Sequence, residues 1–390
     1  MLRVAIIGAG AAGCFCAANV RRMAPEATVT LFEAGARPMA KLAITGGGRC
    51  NLTNDFAGIR SLSEAYPRGE RVMKRALKVF SQDNTIEWFH AAGVPCVLQP
   101  DHCWFPRSQD AMDVVRCLQK GMEGATLRLS SPVTSLSAIM LEYDCVVVTT
   151  GGFSKGSSSS FLDGLELEIV PPLPSLFTLN IPDKRLTSLM GLVVGASVSL
   201  QGSAFRASGP LLITDWGISG PATLKLSSYA ARHLADTGYK GTVLINWMDA
   251  PESNVRELLR SSAERNPQKQ VANTPLLPQR LWLHLVEKGG LREDIRWAEL
   301  GTKGMNRLVA TLVADAYPIS GKGRFREEFV TAGGVALSNI DLNTLEAKRY
   351  PGLFFAGEVL DIDAITGGFN LQAAWSTGYV CARQIALRAK

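Results

Sequence analysis

Gly8-Ala9-Gly10-Ala11-Ala12-Gly13 is the stretch of sequence that decides the fold of this 390-residue chain. It follows an apolar, β-rich run from Leu2 to Ile7 and leads into an alanine-rich segment from Ala11 to Met23. A second apolar run, Thr28 to Phe32, comes next. A buried strand, a glycine turn, a helix and another buried strand in this order predict a βαβ unit with a parallel sheet.

The residues of the glycine turn have physical tasks that indicate a dinucleotide ligand. Gly8 permits the tight turn, Gly10 lets the backbone approach a pyrophosphate, and Gly13 lets the helix pack closely against the strand. The amides at the helix N-terminus supply positive potential for the anion. Glu33 lies 20 residues after Gly13 and can accept hydrogen bonds from both ribose hydroxyls. The turn alone does not distinguish FAD from NAD.

Another predicted strand ends in glycines. Helical patterns at about 70–92 and 110–122 precede an apolar run from Cys145 to Val148, which Thr149-Thr150-Gly151-Gly152 follows. Glycines at the end of a buried strand mark a place where the chain passes close to a ligand. We therefore expect Thr150 and Gly151 to lie beside the dinucleotide.

The C-terminal segment favours FAD over NAD. Leu353 to Ala356 reads as a short buried strand that delivers Gly357-Glu358, and Asp361 follows. The glycine-rich Thr366-Gly367-Gly368-Phe369-Asn370 then feeds a helix predicted over 371–388, with Asn370 as its N-cap. The acids can bind ribityl hydroxyls, and the helix N-terminus can stabilise negative charge on a reduced flavin. An ordinary N-capped helix would leave the acids and glycines unexplained.

A further glycine-rich segment, Lys41 to Asn54 with the sequence KLAITGGGRCNLTN, comes directly after the Glu33 strand. Its glycines expose backbone amides, and Lys41 and Arg49 suit a phosphate or an electron-rich ring. The position favours a cofactor cradle, and the alternative is a plain surface loop. Cys50 can contact a flavin, but close packing is the better interpretation because nothing marks a resolving cysteine.

Composition and charge exclude several classes of protein. The chain has 46% hydrophobic and 19% charged residues, a net charge of +6, and no apolar run of membrane-spanning length. Because the positive charge is spread along the chain, we expect no nucleic-acid partner. The eight cysteines form no Cys-x-x-Cys pair and are typical of buried free thiols. We therefore expect no disulfide, no metal site and no membrane partner, and a location in the reducing cytoplasm.

The length of the chain predicts two or three domains, and its glycines, serines and prolines separate segments of different character. Residues 1–164 and 325–390 carry the α/β pattern and form one discontinuous domain. A serine run and a proline cluster precede a β-rich insertion over 165–250. Residues 251–318 read as a helical domain, and 319–330 return to the β-rich insertion.

Together these motifs resemble those of a bacterial family of NAD(P)/FAD-dependent oxidoreductases, which includes BaiN-type flavoproteins and aminoacetone oxidases. The resemblance spans nearly the whole chain and is most specific at Thr45–Asn54 (TGGGRCNLTN), Phe329–Val335 (FVTAGGV) and Gly352–Gln372 (GLFFAGEVLDIDAITGGFNLQ). Leu211–Pro221 (LLITDWGISGP) also looks like the family's inserted domain. The resemblance implies an α/β fold: a Rossmann-type (GR2-like) FAD-binding domain with an inserted β-rich domain and a nested helical domain. Substrate would approach the flavin between the FAD domain and the insert.

The resemblance also implies FAD contacts, which we combine with those expected from the motifs. The predicted cofactor-binding residues are Gly8, Gly10, Ala11, Ala12, Gly13, Glu33, Ala34, Lys41, Gly47, Gly48, Arg49, Cys50, Asn51, Val133, Thr150, Gly151, Gly357, Glu358, Asp361, Gly368, Asn370 and Leu371. Two departures from the family pattern matter. Lys155–Leu165 (KGSSSSFLDGL) lacks the expected Thr-Gly-Asp-Gly-Tyr turn, which puts contacts from that loop in doubt. Phe369 replaces the usual tyrosine, so no phenol hydroxyl is available there.

The predicted reaction is hydride transfer at flavin N5, and three functional classes stay open. The BaiN-type resemblance implies a reductase of a small conjugated ketone, with NAD(P)H docking transiently because no second glycine fingerprint is present. The aminoacetone oxidase resemblance implies an amine oxidase that passes electrons to oxygen. The third class is a flavoprotein that mainly binds RNA or another partner. We predict no catalytic acid, because the histidines at 90, 102, 233 and 284 lie in no motif.

Overall fold

The structure is a computed structural model that describes residues 1–153, 159–323 and 330–390. Three features of the sequence fall partly or wholly outside these residues: the start of the divergent loop Lys155–Leu165, Phe329 of the FVTAGGV motif, and the predicted domain boundary at 325. The chain divides into two compact units. The first consists of Met1–Pro174 and Val330–Lys390, so both chain ends belong to it, and the second is Ser175–Phe329.

The described residues contain seventeen β-strands in four sheets. In chain order they are β1 Arg3–Ile7, β2 Thr28–Phe32, β3 Thr53–Asn54, β4 Cys96–Leu98, β5 Cys103–Pro106, β6 Thr126–Arg128, β7 Cys145–Val148, β8 Ile169–Ser175, β9 Leu179–Asn180, β10 Val193–Leu200, β11 Arg206–Ile213, β12 Gly217–Ser219, β13 Gly241–Asn246, β14 Asp315–Ile319, β15 Gly321–Lys322, β16 Val330–Val335 and β17 Leu353–Phe355. Strands β1, β2, β7 and β17 are rich in Val, Ile, Leu and Phe and are almost wholly buried. Burial on both faces is what a parallel sheet covered by helices requires.

Fourteen α-helices join these strands in the part of the chain that the structure describes. They are α1 Ala11–Met23, α2 Ala40–Gly48, α3 Leu62–Ala65, α4 Glu70–Val79, α5 Gln82–Ala91, α6 Ala111–Gly121, α7 Leu136–Glu142, α8 Lys184–Thr187, α9 Pro221–Tyr229, α10 Ala231–Asp236, α11 Glu252–Arg265, α12 Gln279–Lys288, α13 Gly301–Val313 and α14 Phe369–Arg388. None of these described helices is both long and apolar enough to cross a lipid bilayer.

The first unit is built on a five-stranded parallel sheet with the strand order β17-β7-β1-β2-β6. β1 pairs in parallel with β2 on one side and with β7 on the other. The predicted βαβ unit is therefore confirmed, with α1 and β2 at the predicted bounds. The strand order reverses at β1, so the crevice outside the carboxyl ends of β1 and β7 is the expected ligand position of an open α/β sheet.

Helices α1 and α14 pack against each other and bring the two chain ends together. A Cβ atom at Gly378 of α14 would lie only 2.8 Å from the carbonyl oxygen of Ala12. Nearby, the rings of Phe15 and Trp375 have their centroids 5.2 Å apart. Because Gly378 removes the side chain at the crossing, the last helix lies directly against the helix that follows the glycine turn.

The helical pattern predicted over about 70–92 is confirmed, and it forms two helices, α4 and α5. The Ser81 hydroxyl accepts a hydrogen bond from the Asn84 amide at 3.2 Å and caps the start of α5. The residue before it, Phe80, has an extended backbone that ends α4. A serine that can cap a helix competes with continuation of the preceding helix through the same position.

The second unit contains a seven-stranded antiparallel sheet with the order β14-β13-β10-β11-β12-β9-β15. Helices α11, α12 and α13 share one hydrophobic core with this sheet, as Leu259, Leu281 and Leu308 join Val198 and Ile245 in a single buried cluster. A single shared core does not separate these helices from the sheet, so the nested helical domain of the sequence analysis stays a prediction.

The predicted helical segment 251–318 extends too far. Helix α13 ends at Val313, and Asp315–Ile319 forms β14, which pairs antiparallel with β13. Asp315, Tyr317 and Ile319 are buried and the residues between them are exposed. This period of two, with the β-favouring Tyr317 and Ile319, is typical of a strand with one buried face.

Candidate functional site

The turn between β1 and α1 is packed tightly against the end of β7. Gly8 has a φ of +101°, and a Cβ atom there would lie 2.5 Å from the carbonyl oxygen of Thr149. A Cβ at Gly13 would lie 2.0 Å from the carbonyl oxygen of Gly8. The Thr149 hydroxyl, which the sequence did not mark, donates to the carbonyls of Ile7 at 3.0 Å and Gly8 at 2.7 Å. Side chains at positions 8 and 13 would therefore force the turn apart.

Helix α1 presents an open N-terminus at this turn. Its first residue is Ala11, and Gly10 before it has no side chain to cap the first amides. Among the described residues, leaving aside its chain neighbours and the adjoining helix backbone, no atom lies within 4 Å of the Cβ position of Gly10. First-turn amides have no partner within the helix, so free space in front of them fits an anion. The pyrophosphate of a dinucleotide fits this space, and its binding by Gly10, Ala11 and Ala12 stays a prediction.

Glu33 lies at the same edge of the parallel sheet as the glycine turn, because it directly follows β2. One carboxylate oxygen accepts from the Ala9 amide at 2.8 Å, and the other accepts from the Gly35 amide at 2.7 Å. These bonds hold the carboxylate beside the turn. Ala34, which lies between Glu33 and Gly35 in the sequence, is exposed. A carboxylate oxygen has two lone pairs, so both oxygens retain capacity for ribose hydroxyls.

Val133 lies in a segment that runs beside Glu33. The amide of Ser130 donates to the carbonyl of Gly35 at 2.9 Å, and the amide of Ser131 donates to the carbonyl of Glu33 at 2.8 Å. Val133 follows two residues later and is half-buried. The backbone thus places Val133 at the edge of the sheet that carries Glu33, where the family resemblance implies a cofactor contact.

The predicted cradle leaves the helical conformation at its glycines. Helix α2 is regular as far as Ile44, whereas Thr45, Gly46 and Gly47 have non-helical backbone angles. Apart from the adjacent residues and the backbone of the same helix, no described atom lies within 4 Å of the Cβ positions of Gly47 and Gly48. The backbone of the cradle therefore borders free space, which is the arrangement that a close approach to a ligand needs.

Two cations frame the cradle. Lys41 is exposed on α2, and the start of that helix is tied to the glycine turn because the Met39 amide donates to the carbonyl of Ala9 at 2.8 Å. The Arg49 guanidinium lies over the ring of Phe105, 4.6 Å from its centroid. A guanidinium that is held by an aromatic ring keeps a defined position from which it can bind a phosphate or stack on a planar ligand.

Cys50 is buried within the cradle and has a φ of +61°. Its amide donates to the carbonyl of Thr45 at 3.0 Å, which closes the glycine turn. Burial raises the pKa of the Cys50 thiol to about 12, so the thiol stays protonated at neutral pH. A protonated thiol is a poor nucleophile, and this favours close packing over redox chemistry for Cys50.

Asn51 and Gly368 bring the cradle into contact with the last helix. A Cβ atom at Gly368 would lie 2.6 Å from both the terminal amide group of Asn51 and the Thr53 carbonyl. With its amide oriented to satisfy both neighbours, Asn51 donates to the Thr53 carbonyl at 3.1 Å and accepts from the Gly368 amide at 3.2 Å. Nearby, the Trp375 indole donates to the Leu52 carbonyl at 2.9 Å. Residues more than 300 positions apart thus form one surface.

Gly357 and Gly151 lie where the last strand and β7 end side by side. A Cβ atom at Gly357 would lie 3.0 Å from the Ala12 side chain, so this glycine adjoins the first turn of α1. A Cβ at Gly151 would lie 3.7 Å from a carboxylate oxygen of Glu358, and the preceding Thr150 is exposed. The structure therefore brings the predicted residues after β7 and β17 next to the glycine turn.

The two predicted acids, Glu358 and Asp361, are held by β16. One oxygen of Glu358 accepts from the Thr331 amide at 2.8 Å, and one oxygen of Asp361 accepts from the Gly333 amide at 3.1 Å. These backbone bonds fix both carboxylates within the first unit. Their binding of ribityl hydroxyls stays a prediction.

The sequence predicted Asn370 as the N-cap of the last helix, and this prediction is wrong. Helix α14 begins at Phe369, and Gly368 precedes it with a φ of +90°. The Asn370 amide instead accepts from the Ala364 amide and donates to the Ala364 carbonyl, both at 3.0 Å. Because these bonds close the turn over 364–370, Asn370 shapes the helix N-terminus from inside the helix. Leu371, the next predicted residue, is half-buried.

A buried polar chain that the sequence did not indicate holds the cradle and α14 together. Gln372 accepts from the hydroxyls of Thr53 at 2.6 Å and Thr85 at 2.9 Å. Its amide donates to the Ser376 hydroxyl at 2.9 Å, which donates to the Phe80 carbonyl at 2.7 Å. Glutamine and hydroxyl residues are common on surfaces, so only their tertiary positions reveal this network.

The four histidines have structural partners, and we name no catalytic acid. Their partners are the Cys96 amide for His90, Asp55 for His102, the Phe205 ring for His233 and the Tyr317 hydroxyl for His284. Burial lowers the pKa of His284, which favours its neutral form.

The fold and the site together define a Rossmann-type dinucleotide-binding protein. The chain belongs to the family described as HI0933-like protein Rossmann domain, whose sequence profile matches residues 2–384. It is an FAD-dependent oxidoreductase, which confirms the family and the enzyme class predicted from the sequence. The free space at the glycine turn, the uncapped α1 and the carboxylate of Glu33 fit the pyrophosphate and ribose of FAD.

Three relatives align with nearly the whole chain. The ribosomal RNA dihydrouridine synthase of Escherichia coli K12 is 30% identical over 406 aligned positions, which cover 97% of each chain. The protein of the same name from Haemophilus influenzae is 30% identical over 410 positions, again with 97% of each chain covered. The 3-dehydro-bile acid delta(4,6)-reductase of Clostridium scindens is 29% identical over 413 positions, with 100% of each chain covered.

Proposed function

We propose that this protein reduces a carbon–carbon double bond that is conjugated to a carbonyl group. The names of the three relatives carry the proposal, because they describe the same change of bonding. Dihydrouridine is uridine with two hydrogens added across a ring double bond conjugated to a carbonyl. A delta(4,6)-reductase acting on a 3-dehydro bile acid reduces double bonds conjugated to a ketone. Alignment over the whole chain supports the same reaction type here.

The residues described above would hold FAD in a defined order. The amides of Gly10 to Gly13 would bind the pyrophosphate, and Glu33 would bind the ribose. The cradle residues Gly47 to Asn51 would border the flavin, and Glu358 and Asp361 would bind the ribityl chain. When bound and reduced by its electron donor, the flavin would supply a hydride from N5, and a proton from solvent would complete the addition across the double bond.

Helix α14 would complete this arrangement. Its positive N-terminus follows Gly368 and would stabilise negative charge at the pyrimidine end of the flavin. The open amides and acids thus come from both chain ends. Protein groups in this arrangement orient the cofactor and set its charge environment, which is the part of the chemistry that the chain contributes.

NAD(P)H is the proposed electron donor, docking transiently at the flavin without a nucleotide domain of its own. The substrate is then either a small conjugated ketone or a uracil base within RNA, since the relatives include both kinds of enzyme. We also propose a cytoplasmic location, which the eight free and buried cysteines support.

Anaerobic rapid mixing tests the proposal. The FAD-loaded protein is mixed with NADH or NADPH, and loss of the oxidised flavin absorbance is followed. The reduced protein is then mixed with a simple conjugated ketone, such as 2-cyclohexenone, or with uridine-containing RNA. We expect bleaching in the first step and recovery of absorbance in the second.

Two results would contradict the reductase. Bleaching by aminoacetone but not by NADH or NADPH would indicate the amine oxidase class instead. The second contradicting result is that oxygen restores the flavin absorbance of the reduced protein whereas neither 2-cyclohexenone nor RNA does, which would exclude double-bond reduction as the reaction. A saturated analogue, cyclohexanone, is the matched control because it lacks the reducible bond.

A further inference from the structure

Helix α4 has an exposed face made of four cations. Arg71, Lys74, Arg75 and Lys78 are all exposed and follow the i, i+3, i+4, i+7 spacing that places side chains on one side of a helix. We call these four residues the basic face of α4. On the opposite side, Val72, Met73 and Ala76 are buried and attach the helix to the first unit.

The cations of the basic face have no acidic partner in the part of the chain that the structure describes. Arg75 donates to the side-chain oxygen of Asn343 at 2.8 Å, which leaves its charge uncompensated. Like charges at i and i+4, such as Arg71 with Arg75, destabilise an isolated helix. An unpaired cluster of this kind is therefore a feature that packing and stability do not explain.

The local charge is higher than the balance of the whole chain indicates. Residues 60–78 contain six Lys or Arg and two Glu, a net charge of +4, whereas the whole chain has a net charge of +6. One of the six, Arg68, pairs with Asp363, so the other cations carry the excess. The expectation of evenly spread charge does not hold for this segment, and a concentrated basic surface is the electrostatic signature of a polyanion site.

The basic face begins next to the candidate flavin site. A Cβ atom at Gly69, just before α4, would lie 2.7 Å from the Ile362 side chain, beside Asp361. The Tyr66 hydroxyl donates to the carbonyl of Phe369, the first residue of α14, at 2.9 Å. With a rise of 1.5 Å per residue, the basic face leads away from this contact over about 10 Å.

We propose that the basic face of α4 binds the phosphate backbone of a single-stranded RNA segment whose base is presented to the flavin. This inference rests on the proposed reduction of a conjugated double bond, which a uracil base contains. A base inside a duplex is stacked and paired, so the segment has to be single-stranded or opened. Four cations over about 10 Å match successive phosphates on such a strand.

The surroundings of the basic face favour RNA over a membrane. Among the described residues, the large hydrophobic side chains that are exposed include none from α4. A helix that binds a lipid surface inserts apolar side chains between the lipids, and here the apolar side of α4 is used by the core.

Salt dependence of binding tests the proposal. A fluorescein-labelled, single-stranded 12-mer of uridylate is titrated with the FAD-loaded protein at several NaCl concentrations, and the anisotropy is measured. The test variant is R71Q/K74Q/R75Q/K78Q. The control variant R260Q/R265Q/K269Q/K303Q removes the same charge from four exposed cations of the second unit.

We expect the slope of log affinity against log salt to fall by about 3 in the test variant, since each phosphate contact on a single strand contributes about 0.7. Between 50 and 200 mM salt this difference amounts to about 50-fold in affinity. The slope of the control variant should match the wild type. The double variant K74Q/K78Q, which changes the helix less, should lose about half of the difference.

Three results would overturn the proposal: an unchanged slope in the test variant, an equal fall in the control variant, or tighter binding to phosphatidylglycerol vesicles or an oligoglutamate peptide than to RNA.

The 2-cyclohexenone assay distinguishes failure of the RNA-binding proposal from failure of the proposed reductase function. Its rate should be equal in the wild type and the test variant. If neither the wild type nor the test variant reduces 2-cyclohexenone but the salt slope still depends on the basic face, the proposed reaction is wrong and the proposed RNA-binding surface is supported. If the probe is reduced and the slope is unchanged, only the surface is wrong.

Discussion

The substitution Gly10→Ala separates the binding of FAD from the stability of the fold. The Cβ position of Gly10 has no atom within 4 Å among the described residues outside its immediate surroundings, and its φ of −83° is accessible to alanine. The apoprotein therefore gains no clash. Alanine restricts the unfolded chain but is a poorer residue than glycine before a helix, so we expect the free energy of unfolding to change by less than about 1 kcal/mol.

The effect on FAD follows from the distance that a methyl group imposes. Carbon atoms approach each other to about 3.5–4.0 Å, whereas a hydrogen bond to an amide needs about 2.9 Å. A methyl group at position 10 therefore moves the pyrophosphate away from the first amides of α1. Loss of one hydrogen bond to a charged group costs about 1.5–3 kcal/mol. This corresponds to a Kd for FAD that is higher by about 10- to 150-fold.

Gly13→Ala is the matched control in the same turn. Its Cβ atom would lie 2.0 Å from the carbonyl oxygen of Gly8, so α1 has to shift even without FAD. Overpacking of this kind costs about 1–3 kcal/mol, and the apoprotein of this variant should unfold at a lower urea concentration. Flavin fluorescence titration gives the Kd, and urea unfolding of both apoproteins gives the stability. Wild-type FAD affinity in Gly10→Ala would show that the pyrophosphate does not approach this turn.

Three further predictions concern polar groups that are buried or half-buried. Gln372→Leu removes the acceptor for two threonine hydroxyls and should lower the free energy of unfolding by about 1–3 kcal/mol in urea titrations; an unchanged midpoint would show that the network is dispensable. Cys50 should resist iodoacetamide at pH 7.5 in the native protein and react after unfolding, as measured by mass spectrometry, because burial raises its pKa to about 12. The lowered pKa of His284 means that the unfolded state binds its proton more readily, so unfolding free energy should fall as the pH drops below about 6.5. His284→Gln should lose less stability between pH 7.5 and 5.5 than the wild type, and an equal loss would contradict this origin.

Local patterns determined the first βαβ unit from sequence. The glycine turn, α1 and β2 depend on short-range spacing, because the alternation of apolar runs and glycines leaves few other conformations. The same reasoning did not find the break at Ser81, where a cap divides the predicted helical pattern into two helices. It failed at Asp315–Ile319, where a strand follows a helix within two residues. In both places a short polar or alternating segment changes the element, and element boundaries of this kind carry weak local signals.

The site shows the same division. Gly8, Gly13 and Glu33 occupy the positions that their spacing predicts, because each acts through its own backbone or an adjacent strand end. Asn370 was assigned as a cap by its residue type, and its amide instead bonds Ala364. Gln372 gave no signal, since the two threonines that donate to it come from segments more than 280 residues away.

By itself the sequence determined that a glycine turn leads into a helix beside a strand ending in an acid, and that the C-terminal segment has the composition of a second such turn. The α/β pattern at both chain ends also predicted one discontinuous domain. Tertiary structure alone decided that the ends meet through β7, which pairs with β1 on one side and with β17 on the other, because a parallel sheet joins strands by side-by-side pairing that no local pattern encodes. It also decided that the cations of α4 lie on one face with no acidic partner among the described residues, since pairing depends on which acids the fold brings within reach.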